Sequence, residues 1–316
     1  MSKLKILVTG LIPDAGLAEL KRDFVVDHQP DATREWILDH LGGYDGLLLA
    51  GAQADRELID AGTNLKIITT FGVGYDHVDV DYARERGIVV ANCPTSVRVP
   101  TAEMTLALML ATVRRLHFYD HVMRQGTWVN VSQPANMGTS LQGKTLGVYG
   151  MGRIGAEVAR FGRMLGMQVI YHNRHRVASE LEQELGARYV DFATLVKTAD
   201  VLTLHAPALP STRGVFNAAV FAQMKDTAYL INAARGALVD QDDLAAALRD
   251  HQIAGAGLDV FVDEPAIPTA LTKLDNVVLS PHAGTGTKEA RLAIAREAAN
   301  NLIAYLRDGR AVNRVN

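Results

Sequence analysis

Cysteine is almost missing from this 316-residue chain. Cys93 stands alone, so no intrachain disulfide can form and a reducing compartment is expected. A single thiol of this kind reads as a small buried hydrophobe before it reads as a nucleophile. Charge of one sign is missing too: Lys and Arg number 32 against 35 Asp and Glu, a net charge of −3. No block of like charge offers an electrostatic footprint for nucleic acid or an anionic membrane. The longest apolar run, around Leu106 to Val113, is too short to span a bilayer. The opening MSKLKILVTG lacks the basic region and small-residue cleavage site of a signal peptide, so the cytoplasm is the expected location. Neither a repeat of fixed period nor a low-complexity segment is present. These absences leave a small soluble molecule as the expected partner.

What is present is enough apolar residue, 48%, to build more than one core in a chain of this length. Up to about residue 95, short apolar runs at Ile6 to Val8, Phe24 to Val26, Leu47 to Leu49, Ile67 to Thr70 and Ile88 to Val90 alternate with helix-compatible stretches. That rhythm predicts a parallel α/β unit of about five strands. From Pro100 to Leu116 the spacing predicts a long helix, apolar on nearly every face and opened by Pro100 at its first position. Gly126 to Gly138 reads as a loop. A second α/β series follows, with strands expected at Thr145 to Tyr149, Gln168 to Tyr171, Val201 to His205, Ala228 to Ile231, Gly257 to Val260 and Val277 to Leu279. A last helix, Thr287 to Leu306, meets Gly309 as its C-cap. No strand follows for that helix to cover. The expectation is therefore two doubly wound parallel-sheet domains: 1–99 with 287–316, discontinuous, and 100–286.

Gly150, Gly152 and Gly155 form G-x-G-x-x-G directly after a strand and at the start of a helix, and that context gives the motif its weight. The first glycine permits a tight turn, the second lets backbone approach a pyrophosphate, and the third lets helix pack on strand. After the next strand comes His172-Asn173-Arg174-His175-Arg176, with no acid where an NAD site places one on the ribose 2′-hydroxyl. Asn173 can give a neutral hydrogen bond there, and Arg174, with Arg176 beside it, can give charge-assisted bonds to a 2′-phosphate. NADP(H) is the expected cofactor, with NAD(H) as the alternative.

Three later segments each put polar side chains just after an apolar strand, where open α/β sheets bind ligands. Reduction of a 2-oxo acid needs a cation to hold the carboxylate and polarise the ketone, and a proton donor for the new alkoxide. Arg235 suits the first, being always charged and able to bind a carboxylate bidentately. His282 suits the second, because an imidazole titrates near working pH. Glu264 suits a supporting role, fixing and charging the ring. Each is weak evidence singly. Together at the strand ends of one cofactor-type sheet they point to hydride-transfer chemistry.

With GMGRIG at 150–155, INAARGALVD at 231–240, GLDVFVDEP at 257–265 and SPHAG at 280–284, the whole chain resembles the D-isomer-specific 2-hydroxyacid dehydrogenase family. The resemblance implies a Rossmann cofactor domain and a flavodoxin-like substrate domain, with Arg235, Glu264 and His282 as the catalytic trio. It implies Asp259 at the nicotinamide carboxamide and Arg153 and Ile154 at the pyrophosphate. Pro207 and Thr212 would line the cofactor channel, Ala233 and Gly284 would lie near the ring, and Thr101 would reach the cofactor. Backbone N–H groups of Val73 and Gly74 would take the substrate carboxylate. The loop Leu49-Ala50-Gly51-Ala52-Gln53 carries no charge, which disfavours a phosphorylated substrate. The pattern is most similar to the NADPH-dependent reductases of glyoxylate, hydroxypyruvate or 2-ketogluconate. It also implies a homodimer formed through the cofactor domain, with Leu116 to Gly138 as the interface. Trp128, within that segment, reads equally as a core anchor or as a residue near the active site. No metal is expected.

Overall fold

The computed structural model describes residues 3–316. The first series is β1 (Lys5–Thr9), α1 (Ala18–Asp23), β2 (Val25–Gln29), α2 (Arg34–His40), β3 (Gly46–Leu49), α3 (Arg56–Ala61), β4 (Ile67–Thr70), α4 (Val80–Glu85) and β5 (Val89–Ala91). Two helices follow, α5 (Arg98–Val113) and α6 (Leu116–Arg124). The second series opens with β6 (Thr145–Tyr149), α7 (Arg153–Met164), β7 (Gln168–His172), α8 (Ser179–Leu185) and β8 (Ala187–Tyr189). It continues with α9 (Phe192–Thr198), β9 (Val201–Leu204), α10 (Ala218–Phe221), β10 (Tyr229–Asn232), α11 (Gln241–Arg249) and β11 (Gly255–Leu258). Last come α12 (Thr269–Thr272), β12 (Val277–Leu279) and α13 (Lys288–Leu306). The chain divides into two compact units, the residues up to Val97 with Thr285–Asn316, and Arg98–Gly284.

In the first unit five parallel strands lie in the order β2-β1-β3-β4-β5, the doubly wound arrangement of flavodoxin-like sheets. Every residue of β3 and β4 is buried, as expected where both faces of a parallel sheet are covered. One of the covers is α13. Its Ala290, Ile294, Ala295, Ala298, Leu302 and Ile303 are buried, and it packs on β3, β4 and α1. Small residues let it lie close: a Cβ placed on Gly16 would sit 2.3 Å from the Ala295 Cβ. Thr287 caps its start by accepting from the Ala290 N–H at 3.1 Å. Gly309, with φ of +68°, ends it, and the Arg310 N–H reaches back to the Ala304 carbonyl.

The second unit holds seven parallel strands in the order β12-β11-β10-β9-β6-β7-β8. The order reverses beside β6, whose Tyr149 pairs with Leu204 of β9 on one side and His172 of β7 on the other. Ligands bind such sheets at the carboxyl ends of the strands at this reversal. Helix α5 lies over α7, β10 and β11, and it departs from the sequence expectation in two ways. It begins at Arg98, so Pro100 is its third residue, where the missing N–H has no intrahelical partner to lose. Its buried face is also rich in threonine. The Thr105 hydroxyl donates to the Thr101 carbonyl and that of Thr112 to the Leu108 carbonyl, which makes both burials tolerable, while Leu110 is exposed.

Strand β8 is absent from the sequence expectation, because three residues give no readable alternation. Residues 116–124 form a helix before the expected loop. Trp128 is 85% exposed, which removes the core-anchor reading. No helix of the described residues is long and apolar enough to cross a membrane.

Candidate active site

The glycine turn after β6 is built by close approach. Gly150 has φ of +101°, and a Cβ on it would lie 2.6 Å from the Ala206 backbone nitrogen, while one on Gly155 would lie 2.3 Å from the Gly150 carbonyl oxygen. Beside Gly152 there is open space. Protein packing therefore demands the first and third glycines, and the second is left bare where a phosphate would approach the first N–H groups of α7, at Arg153 and Ile154. The cradle fits a dinucleotide pyrophosphate.

The loop after β7 is arranged otherwise than the sequence suggests. The Asn173 side-chain oxygen accepts from the Met151 N–H at 2.6 Å, so this residue braces the glycine turn and leaves its NH₂ group for other partners. Arg176 is committed to Glu182 through bonds of 2.8 and 2.6 Å. With the Tyr171 hydroxyl also donating to it, the Glu182 carboxyl is held down at about 2. Arg174 is exposed and has no carboxylate within ion-pair distance among the described residues. The cation available to a 2′-phosphate is therefore Arg174, without Arg176.

Strands β10, β11 and β12 are neighbours, with Asn232 paired to Leu258 and Leu258 to Leu279, so the segments that follow them emerge side by side. After β10, the buried Asn232 accepts from the Ala234 N–H at 3.0 Å and donates to the Arg235 carbonyl at 2.9 Å, shaping the turn that carries Arg235 and Ala233. A Cβ on Gly236 would lie 2.1 Å from the Phe261 carbonyl carbon, so only glycine lets this turn abut the segment after β11. One Arg235 Nη donates to the Ala234 carbonyl at 2.7 Å.

Asp259 is buried, and its carboxylate accepts from the Ala283 N–H at 2.7 Å, the Gly284 N–H at 2.8 Å and the Ser280 hydroxyl. It thus organises the whole 280–284 turn, a role that the sequence reading did not assign. His282 sits in that turn with φ of +53°, and its Nδ1 is 2.7 Å from Glu264 Oε2. Glu264 Oε1 in turn accepts from the Phe261 N–H at 2.9 Å. The carboxylate is fixed by backbone, the ring is fixed by the carboxylate, and the half-exposed imidazole keeps Nε2 for chemistry.

Thr212 donates to the Pro207 carbonyl at 2.7 Å and accepts from the Leu209 N–H at 2.8 Å, so it closes the exposed 207–212 turn. Thr101 is buried on α5 and lies near Gly284. Among the described residues no group of three or more His, Cys, Asp or Glu is placed to hold a metal ion. In the first unit, Val73 and Gly74 follow β4 in a part-buried loop, and neither N–H has a protein partner among the described residues.

A pyrophosphate cradle and a carboxylate-held histidine, both after strands of one doubly wound parallel sheet, define an NAD(P)-dependent oxidoreductase. Residues 106–284 match the family described as D-isomer specific 2-hydroxyacid dehydrogenase, NAD binding domain. A glyoxylate reductase of Thermococcus litoralis is 40% identical over 99% of this chain and 97% of its own length. Among solved structures, a glyoxylate reductase from Paecilomyes thermophila superposes with a TM-score of 0.91 at 34% identity, covering 100% of this chain and 99% of that one. An NADPH-dependent glyoxylate/hydroxypyruvate reductase from Sinorhizobium meliloti, in complex with NADP and malonate, does so with a TM-score of 0.87 at 33% identity, covering 99% and 97%. The chain belongs to the D-isomer-specific 2-hydroxyacid dehydrogenase family. It is an NAD(P)-dependent oxidoreductase.

Proposed function

We propose that this enzyme is an NADPH-dependent reductase of glyoxylate, hydroxypyruvate or 2-ketogluconate, with Arg235, Glu264 and His282 as its catalytic residues. The observation that carries the reading is the 2.7 Å bond from His282 Nδ1 to Glu264, which orients Nε2 as a proton donor. A nicotinamide held by the cofactor domain would supply hydride to the substrate C2. Arg235 holds the carboxylate and polarises the carbonyl, His282 Nε2 gives its proton to the forming alkoxide, and Glu264 stabilises the charged ring until the proton leaves. Hydride and proton together convert the 2-oxo group to a 2-hydroxy group, of D configuration where C2 becomes a stereocentre. The unit Arg98–Gly284 is the cofactor domain and the other the substrate domain, with the Val73 and Gly74 N–H groups assigned to the substrate carboxylate.

For the cofactor, Gly150, Gly152, Arg153, Ile154 and Gly155 receive the pyrophosphate, and Asn173 and Arg174 the 2′-phosphate. Thr101, Pro207, Thr212, Ala233 and Gly284 border it, and Asp259 faces the carboxamide while bracing its turn. Preference for NADPH is supported by the exposed Arg174, whose Nε bonds the neighbouring His175 and which has no carboxylate partner among the described residues, and by the lack of an acid in 172–176 after β7. The enzyme works as a homodimer through the cofactor domain, a reading supported by exposed Leu116, Met123, Trp128, Val131 and Met137 in one segment. The deciding experiment is oxidation of NADPH and of NADH against glyoxylate, hydroxypyruvate, 2-ketogluconate, pyruvate and phenylpyruvate. Turnover of one of the first three with NADPH ahead of NADH is expected. Equal or better use of NADH, or turnover confined to the last two acids, overturns the proposal.

A further inference from the structure

We propose that Asn92, held in place by Asn301 and Asn313, is a positioning residue that aims the Val73 and Gly74 N–H groups at a substrate carboxylate. This rests on reading those two groups as the carboxylate donors.

A trans peptide is planar, with the carbonyl of one residue and the N–H of the next pointing opposite ways. Anchoring a carbonyl on one side therefore aims the following N–H at the other. The Gly72 carbonyl accepts from the Cys93 N–H at 2.8 Å and the Thr70 hydroxyl at 3.0 Å, which fixes the Val73 N–H. The Val73 carbonyl accepts from Asn92 Nδ2 at 2.8 Å, which fixes the Gly74 N–H. Two successive donors are thus oriented, without protein partners among the described residues, and the second depends on one side chain.

That side chain has its own frame. The Asn92 carbonyl accepts from Asn301 Nδ2 at 2.8 Å, and the Asn92 N–H donates to the Asn313 carbonyl at 3.2 Å. Asn313 Nδ2 donates to Asn301 Oδ1 at 3.0 Å, closing the set. Asn301 is fully buried, so none of its bonds can be exchanged with solvent at little cost. Asn313 has φ of +51°, a left-handed conformation that asparagine tolerates better than most residues and that lets its carbonyl and side chain serve two partners here. Its neighbours lie along the edge of β5: Arg314 bridges Ala91, the Val315 N–H donates to Val90, and Asn316 bonds Val90 and Ile88. The segment 313–316 and α13 therefore hold Asn92 from both its backbone groups, leaving its amide directed at the loop.

The test is binding of oxamate, a 2-oxo acid isostere, to the NADPH-loaded enzyme. In the wild type the amide resonances of Val73 and Gly74 should move downfield on titration, as hydrogen bonding to a carboxylate requires. Asn92→Ala and Asn92→Asp should each weaken oxamate about tenfold to a hundredfold, the range that a misplaced binding group costs. Asn301→Ala should weaken it less but in the same sense. KM for the 2-oxo acid should rise more than kcat falls, while NADPH affinity stays at the wild-type value. Asn92→Asp keeps the side-chain shape, so it preserves the test if Asn92→Ala does not fold. If oxamate leaves the two amide resonances unmoved, the carboxylate reading fails and the proposal with it. If they move but both Asn92 variants bind oxamate like wild type, the reading stands and the positioning role is overturned.

Discussion

At the scale of residues, the proposed chemistry depends on a short chain of contacts: backbone N–H of Phe261, Glu264, His282. Replacing His282 with alanine removes the general acid and should lower kcat by about 10² to 10⁴, the usual range for such a group. Glu264→Gln keeps a side chain able to reach the ring but loses the carboxylate that orients it, so kcat should fall while NADPH affinity is retained. Steady-state kinetics with cofactor binding measured separately checks both, and an undiminished kcat in His282→Ala would remove His282 from the mechanism. Arg174 belongs to a different question. Arg174→Asp replaces a charge-assisted bond, worth about 1.5 to 3 kcal/mol, with repulsion, so the NADPH to NADH ratio of kcat/KM should drop tenfold or more. An unchanged ratio would place the 2′-phosphate elsewhere.

Elements show which features local sequence can carry. The glycine turn and its flanking strand and helix were legible because their signal is contiguous, and the same holds for α13 with its Thr287 cap and Gly309. What failed to show was long-range. Asp259 bonds to residues more than twenty positions away, and the Asn301 bond to Asn92 spans 209 positions, so no spacing rule exposes either. The threonine face of α5 misled because hydroxyls bonded to the preceding turn behave as apolar surface.

Likewise Arg176 looked free until α8 brought Glu182 to it. That pair also carries a stability prediction. The carboxyl of Glu182 is held at about 2 in the folded chain by Arg176 and the Tyr171 hydroxyl, below its ordinary 4.5. Its stabilisation is therefore complete above the ordinary carboxylate range and is lost as pH falls from about 4.5 towards 2. Glu182→Gln should lower Tm at pH 7, with the gap to wild type narrowing through that window. Thermal melts from pH 7 to 2.5 decide it; a gap independent of pH would mean that the charge contributes nothing.

For the molecule as a whole, the exposed apolar side chains of 116–137 make the homodimer testable. Leu116→Asp with Trp128→Asp should convert a dimer into a monomer in light scattering, because two buried charges would face an apolar partner surface. A wild type that is already monomeric would end that reading. The seven-stranded sheet has one further consequence. All its strands run the same way, so the cofactor loop after β7 and the reacting residues after β10 to β12 leave one edge on opposite sides of β6. Each depends on its own strand end and its own local bonds. On the proposed assignment, cofactor choice and reaction chemistry are therefore separable inheritances: a lineage could exchange one dinucleotide for the other at Arg174, sparing Asn173 in the glycine turn and Arg176 on Glu182, and leave Glu264 and His282 as it found them.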